Sequence, residues 1–332
     1  MTEYRYTMKN PLSSKQISRF GFARPAALVL ALVLFFSPLC AAETADADTP
    51  APAEGAGLRV MSYNSMHPDW SRVPVKGRDE IVADILRACM PDVAAIQEAG
   101  AKWHKALIPL LMDSGLYAPA CRQSNADGYI YCTTTFLYNP RTLRLEEEYI
   151  LDLERKNATR VLAVAVFESL RDGTRFVAAN THPAPREDAD KYERNMADLA
   201  SFILDLTRKY DGLPVIVMGD FNTPVQSEMY ARFLRETGLS DARYEADTLV
   251  RNCSTYIGYP SVPDEEDTSA CIDHIFVSGG VGVRLFETVV GHRAQDASDH
   301  LPILADISLS LFTGRAGQYA VNIALKQHDQ TE

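Results

Sequence analysis

Nowhere does this sequence run to about 20 apolar residues in succession, the length a helix needs to cross a bilayer core. Its longest unbroken apolar run, Ala26 to Phe36, has 11 residues, which excludes a multi-span membrane protein. Positive charge is also scarce. Lys and Arg number 33 against 44 Asp and Glu, for a formal charge of −11. That balance argues against a protein gripping duplex nucleic acid through a basic surface, because such affinity comes from Lys and Arg displacing counterions. A polyanionic substrate would have to meet local positive charge or a bound cation. No repeat period is visible, and 18 glycines in 332 residues exclude a collagen-like chain. A hydrophobic content of 46% excludes a largely disordered one. The length suits one domain, since two-sheet and α/β architectures commonly use about 200 to 250 residues as a unit.

The apolar run has a context. Arg5, Lys9, Lys15, Arg19 and Arg24 precede it against a single acid, Glu3, and Pro38 follows it just before Cys40, Ala41 and Ala42. A basic n-region, a short h-region and small residues in that order read as a signal peptide, residues 1–42, cut after Ala42. An uncleaved anchor reaching Ala42 is the competing reading; Leu39 disfavours a lipid anchor on Cys40. The expected location is therefore secreted or periplasmic, and removal of five basic residues and one acid leaves a charge of −15. An oxidising compartment favours cysteine pairing. Cys121 and Cys132 flank a short polar segment and are expected to pair, as are Cys253 and Cys271, which bracket an acidic loop from Asp264 to Asp267. Cys89 shares a helical stripe with Ile81 and Ile85 and is expected to be a buried free thiol.

Residues 43–57, rich in Ala, Pro, Asp and Thr without an aromatic, should form a flexible linker. The domain is placed at 58–310. Short apolar runs suited to buried strands recur through it: Leu58 to Tyr63, Val93 to Ile96, Thr134 to Tyr138, Val161 to Phe167, Phe176 to Asn180, Val215 to Met218, Ile272 to Val277 and Ile303 to Ile307. Two amphipathic helices are predicted, one carrying Ile81, Val82, Ile85, Leu86 and Cys89, the other Tyr192, Met196, Leu199, Ile203, Leu206 and Tyr210. Several strands follow one another between Tyr117 and Thr181 without a helix, which favours antiparallel sheets with helices outside over a strictly alternating parallel fold. The C-terminal tail, residues 311–332, has no assigned role.

Polar residues capable of catalysis sit where the apolar strands stop: Asn64; Gln97 and Glu98; Asn180, Thr181 and His182; Gly219, Asp220, Phe221 and Asn222. A single such carboxylate is usually a turn former or helix cap. Four strand ends together would offer oxygen and nitrogen ligands on a rigid support, suited to a hard divalent cation such as Mg²⁺. Asp273 lies inside an apolar strand, on the face of Ile275 and Val277, where an unpaired carboxylate is costly; it needs a cation or an imidazolium partner. Ser298, Asp299 and His300 precede the last strand, and a histidine held by a carboxylate suits a general base. His274 is expected to be a satisfied strand histidine on the opposite face. Surface positions are expected for His104, His292 and His328.

The ordered set of Ser-Tyr-Asn64, Gln-Glu98, Asn-Thr-His182, Gly-Asp220-Phe-Asn222, Ile-Asp273 and Ser-Asp299-His300 resembles the endonuclease/exonuclease/phosphatase superfamily across Leu58 to Ile307. The resemblance implies an α/β (α+β) fold, a four-layer sandwich of two mostly antiparallel β-sheets with helices outside, and one-step hydrolysis of a phosphoester. It implies that Glu98 with Asn64 holds a divalent metal, Mg²⁺ or in its place Mn²⁺ or Ca²⁺, with Asp299 supporting the metal or the neighbouring histidine. His300, oriented by Asp273, would activate water; Asp220 would align it; Asn222 and His182 would contact phosphoryl oxygens or assist the leaving group. The division of base and orienting roles between Asp220 and His300 stays open.

Departures bear on specificity. Cys271 stands where the family often carries Arg or Lys, and the acidic loop at Asp264 to Asp267 would repel a long polyanion. Arg122, Arg155, Lys156 and Arg160 are candidate phosphate contacts. The expected activity is a metal-dependent nuclease or other phosphodiesterase, acting as a monomer with nucleic acid as a partner. A sphingomyelinase-like phospholipase C or inositol-phosphate phosphatase is the alternative, for which Tyr256 to Pro260 would supply an exposed aromatic hairpin or else a packed strand and turn. A non-catalytic binding module on the same fold is the second.

Overall fold

The strands predicted from apolar runs form the middles of two sheets, buried on both faces as continuous hydrophobic runs require. The computed structural model describes residues 57–112, 115–122, 133–153 and 160–309. The expected signal peptide, the expected linker apart from Gly57, Cys132, Arg155, Lys156, His328 and the C-terminal tail lie outside them.

One sheet has the order β10 (Ala246–Arg251), β12 (Gly282–Thr288), β13 (Ile303–Ser308), β1 (Leu58–Asn64), β2 (Val93–Gln97), β4 (Thr135–Tyr138) and β3 (Ala118–Ala120). The other runs β5 (Leu143–Asp152), β6 (Val161–Ser169), β7 (Arg175–Thr181), β8 (Val215–Asp220), β11 (Asp273–Val277) and β9 (Ser240–Asp241). Among these strands β1 and β2, β7 and β8, and β10 and β12 are parallel neighbours; the other pairs are antiparallel. The helices are α1 (Pro68–Ser71), α2 (Arg78–Cys89), α3 (Ala101–Met112), α4 (Ala189–Lys209), α5 (Glu228–Thr237), α6 (Ala242–Glu245) and α7 (Ala294–Ala297).

Three apolar clusters hold four layers together. Val60, Val93 and Phe136 from the first sheet meet Phe167, Met218 and Ile275 from the second in the space between the sheets. Val82, Leu86, Trp103 and Leu107 of α2 and α3 cover the outer face of the first sheet. Met196, Leu199, Ile203 and Phe233 of α4 and α5 cover the second. Each such fully buried side chain contributes about 1.5 to 3 kcal/mol relative to exposure. The predicted stripes of α2 and α4 are the ones that pack, and Cys89 is buried at the end of the first and unbridged. At the end of β1 away from Asn64, Arg59 makes a bidentate pair with Asp306 of β13, at 2.6 and 2.8 Å, and donates to the Cys89 carbonyl of α2 at 3.1 Å. No helix among the described residues is long and apolar enough to cross a membrane.

Two expectations need correction. Cys253 and Cys271 are both buried and form no disulfide in this structure; the Cys271 thiol lies 3.3 Å from the Cys253 carbonyl oxygen. Asp267 ties the bracketed loop, accepting from the Ser254 hydroxyl at 2.7 Å and the Ser269 amide at 2.9 Å. His104 is not at the surface but buried in α3 among Trp103, Leu107 and Ile108.

Candidate active site

Strand pairing brings the predicted residues to one end of the sandwich. The parallel register of β1 and β2 sets Asn64 beside Gln97, leaving Glu98 at the next position. Parallel pairing of β7 and β8 sets Thr181 beside Gly219, so His182 and Asp220 leave their strands together. Asp273 lies directly opposite Asp220 in the antiparallel β8–β11 ladder. Residues opposite each other project to the same face, and the two carboxylates are therefore neighbours. At Gly219, with φ of 156°, a Cβ would fall 2.2 Å from the Thr181 carbonyl oxygen. Only glycine permits this approach.

Below the site, Gln97 Nε2 donates to Asn180 Oδ1 at 2.8 Å, and Asn180 Nδ2 donates to the Thr135 carbonyl at 2.7 Å. This amide pair links the two sheets, although Gln97 Oε1 has no partner among the described residues. Left-handed backbone at Glu98, Asn222 and Met66, with φ of 60°, 52° and 58°, is concentrated around the same point. Such conformations cost about 1 to 3 kcal/mol and cluster at functional sites.

Asp220 is the hub. Its Oδ1 accepts from the Asn222 amide at 2.9 Å and its Oδ2 from Asn64 Nδ2 at 3.0 Å. The same Oδ2 lies 3.4 Å from His182 Nε2 and 3.6 Å from His300 Nε2. His300 Nδ1 is 2.8 Å from Asp273 Oδ2. Burial lifts the Asp220 carboxyl to about 7, with Asp273 adding to the rise and His300 opposing it. Burial acts to lower His300, but the charges of Asp273 and Asp220 outweigh it and push the imidazole up to about 10. His182, buried and near Arg160 and His300, is held well below the usual histidine range and is neutral. His274 is turned to the opposite face, bonded to Asp241 and the Thr223 carbonyl at 3.0 and 2.8 Å, the satisfied histidine predicted for it.

Glu98 occupies the other side. Its Oε2 accepts from the His67 amide and its Oε1 from Asn64 Nδ2 at 3.2 Å. Burial raises its carboxyl, with Asp299 adding to the rise. The donor set fits a hard divalent cation: Glu98 and Asp299 bring carboxylate oxygens to one cleft, and neither is paired with a Lys or Arg side chain by a hydrogen bond among the described residues. Asn64 turns its NH₂ toward Glu98 and Asp220, while its Oδ1 accepts from the Met66 amide at 3.0 Å. In this arrangement it holds the carboxylates. Asp220, Asp273 and His300 also bring one ligand atom each within 4.8 Å of one another. His300 Nδ1 is already engaged with Asp273, so this trio is better suited to proton transfer than to a cation.

Glu98, His182, Asp220, Asn222, Asp299 and His300 line a cleft of about 440 Å³, together with Trp70, Arg160, Arg186 and Tyr256. Of the four candidate phosphate cations, Arg160 lines the cleft and Arg122 does not. Tyr256 forms an isolated bridge with His300 and is about half exposed, while the Tyr256 to Pro260 segment contains no strand pair.

Sequence reasoning missed two residues. His67 holds Glu98 through its amide and stacks its ring on Trp70 at 4.3 Å. Buried Arg78 uses all five guanidinium N–H groups on carbonyls of Pro74, Ser65, Ala297, Met66 and Val73. It thereby fixes the loop after Asn64 against the segment before Asp299. The signal for His67 was its place three residues beyond Asn64; for Arg78 there was none.

The model of the Endonuclease/Exonuclease/phosphatase family matches residues 61–300. No curated protein matches the sequence. Among solved structures, an endonuclease/exonuclease/phosphatase family protein from Bacteroides thetaiotaomicron is similar, with TM-score 0.61 and 20% identity over 75% of this chain and 97% of that one. A mannosyl-6-phosphatase from the same organism gives 0.58 and 19%, covering 75% and 99%. The catalytic domain of human nocturnin, with a bound sulfate anion, gives 0.59 and 18%, covering 78% and 95%. These likenesses establish the fold.

Proposed function

Since this chain belongs to the endonuclease/exonuclease/phosphatase family, we propose that it hydrolyses phosphoesters by water attack at phosphorus, with the aid of a divalent cation held by Glu98 and Asp299. The observation that carries the reading is the arrangement of Asp273, His300, Asp220 and Glu98 around one cleft, with the 2.8 Å bond between His300 and Asp273 at its centre. Asp220, its carboxyl lifted to about 7, takes the proton of the attacking water, while Asp273 holds His300 at Nδ1. Pushed up to about 10 by the neighbouring carboxylates, His300 is an imidazolium at neutral pH and offers Nε2–H to the phosphoryl group. His300 Nε2 lies 3.6 Å from Asp220 Oδ2, so the imidazolium orients that carboxylate and the water beside it. Neutral His182 and Asn222 offer donors to phosphoryl oxygens or the leaving oxygen. When bound, the cation, Mg²⁺ or in its place Mn²⁺ or Ca²⁺, polarises the phosphoryl group and offsets charge on the leaving oxygen.

Nucleic acid and a compact phosphoester compete as substrates for this centre. A cleft of about 440 Å³ lined by two arginines, on a chain of net charge −11, supports the compact one. The likeness to a mannosyl-6-phosphatase supports it further. The test is a panel of hexose phosphates, nucleotides, inositol phosphates, sphingomyelin, DNA and RNA with Mg²⁺. Phosphate release from small esters, abolished by chelator, is expected. Cleavage of DNA or RNA alone would return the nuclease reading, and inertness on every substrate would leave a binding module.

A further inference from the structure

Two large aromatic side chains are left about half exposed at this cleft, Trp70 at 50% and Tyr256 at 46%. Burial of each would be favourable, and aromatics kept open in a cleft mark contact surfaces. Each is bolted to the reaction centre. Trp70 sits on His67, whose amide holds Glu98. On its other connection, Arg160 places its guanidinium 5.6 Å from the Trp70 ring and donates to the His182 carbonyl at 3.3 Å. Tyr256 packs edge-on against the His300 imidazole, 5.2 Å between centroids, and pairs with its backbone. Glu98 and His300, both lining the cleft, thus each carry an aromatic side chain toward its opening.

We propose that Trp70 and Tyr256 form a specificity subsite that takes the organic part of the ester, a ring with an apolar or π face such as a sugar or nucleoside, one ester bond from phosphorus. The subsite rests on the phosphoester hydrolase reading. An acyclic alcohol offers no face to either aromatic. Trp70 is supported by the His67 stack and the Arg160 cation, so it is fixed before the substrate arrives and loses little freedom on binding. Its place in the loop held by Arg78 keeps it in register with Glu98.

The first experiment compares kcat/KM for a hexose 6-phosphate and a nucleoside 5′-monophosphate with that for glycerol 3-phosphate. The unaltered protein should prefer at least one ring substrate by about tenfold, the scale of one good aromatic contact. That ratio should fall toward one in Trp70→Ala and in Tyr256→Leu and be kept by Trp70→Phe and Tyr256→Phe. Preference in the sugar arm or the nucleotide arm alone identifies the ring. A ratio near one in the unaltered protein, or equal losses on ring and acyclic substrates in both variants, would overturn the subsite.

The second experiment needs no turnover. Of the two tryptophans, Trp103 is buried, so Trp70 reports on ligands. In chelator, hexose phosphate or nucleotide should change its emission saturably, and Tyr256→Leu should weaken that binding about tenfold with the fluorophore intact. No saturable change would count against the subsite. Ring binding without hydrolysis of any ester would sink the hydrolase reading and leave the subsite standing; hydrolysis without ring preference would do the reverse.

Discussion

His300 Nδ1 lies 2.8 Å from Asp273 Oδ2, and the bond joins the segment before β13 of one sheet to β11 of the other. Its two ends act as one function. Replacing His300 with Ala should lower kcat by about two to four orders of magnitude, the usual worth of a positioned acid or base. Asp273→Asn should follow it closely, because an amide neither stabilises the imidazolium nor fixes the tautomer. The double variant should lose little more than either single one. Steady-state kinetics on one substrate decides the matter: multiplicative losses would mean that the two residues act separately.

Glu98 offers a second test. Its carboxylate is held by the His67 amide and Asn64 rather than by a cationic side chain, so removing its charge should weaken a bound cation without unfolding the chain. Glu98→Gln should abolish activity, retain the thermal transition of the unaltered protein within a few degrees, and raise the Kd for Mg²⁺ in calorimetry. Full activity in chelator would contradict the role given to Glu98.

Arg78 is a positioning residue, and it makes a sharper test of the loop. Five carbonyls accept from its five N–H groups, and its guanidinium lies 4.9 Å from the Trp103 ring. Lysine keeps the charge and only three donors. Arg78→Lys should cost about 2 to 4 kcal/mol of stability, since carbonyls are left buried and unpaired. It should also raise KM for ring substrates, because Met66 to Trp70 loses its anchor. Denaturant unfolding and kinetics measure the two effects; a stability loss with unaltered KM would restrict Arg78 to the fold.

These cases indicate how much the chain discloses. Asp273 was legible because period two places a carboxylate among Ile275 and Val277, and such a group must find a partner. His274, one residue on, was legible by the same alternation. The amide pair of Gln97 and Asn180 was visible as two strand ends, but not as a link between sheets, since strand pairing is set by contacts distant in sequence. Arg78 was hidden for a related reason: its partners are backbone carbonyls, which every residue has. His67 fell in a loop without periodicity, and Trp70 in α1, a single turn too short to show one. Strands β5, β10 and β12 carry alternating or polar patterns at the sheet margins, where burial imposes less on composition. Cys253 and Cys271 bracket a loop as expected but are unbridged, the loop being tied instead by Asp267.

His104 was misplaced although its stripe was in the sequence, since it shares one helix face with Leu107, Ile108 and Leu111. Neither ring nitrogen has a hydrogen-bond partner, and burial, aided by the nearby charge of Arg122, pushes the imidazole down to about 4 from its ordinary 6.5. The folded protein therefore refuses a proton that the unfolded chain accepts between those values. Stability conferred by keeping His104 neutral is fully present above 6.5 and is lost as pH falls toward 4, by roughly 3 kcal/mol in all. Leucine suits the same apolar surroundings and titrates nothing. His104→Leu should be as stable as the unaltered protein at pH 7.5, or more so, because a buried unpaired N–H is removed. At pH 5 its advantage should have widened by about 2 kcal/mol. Urea unfolding of both proteins at the two pH values measures the gap, and a parallel decline would show that His104 takes up its proton in the folded state as readily as in the unfolded one.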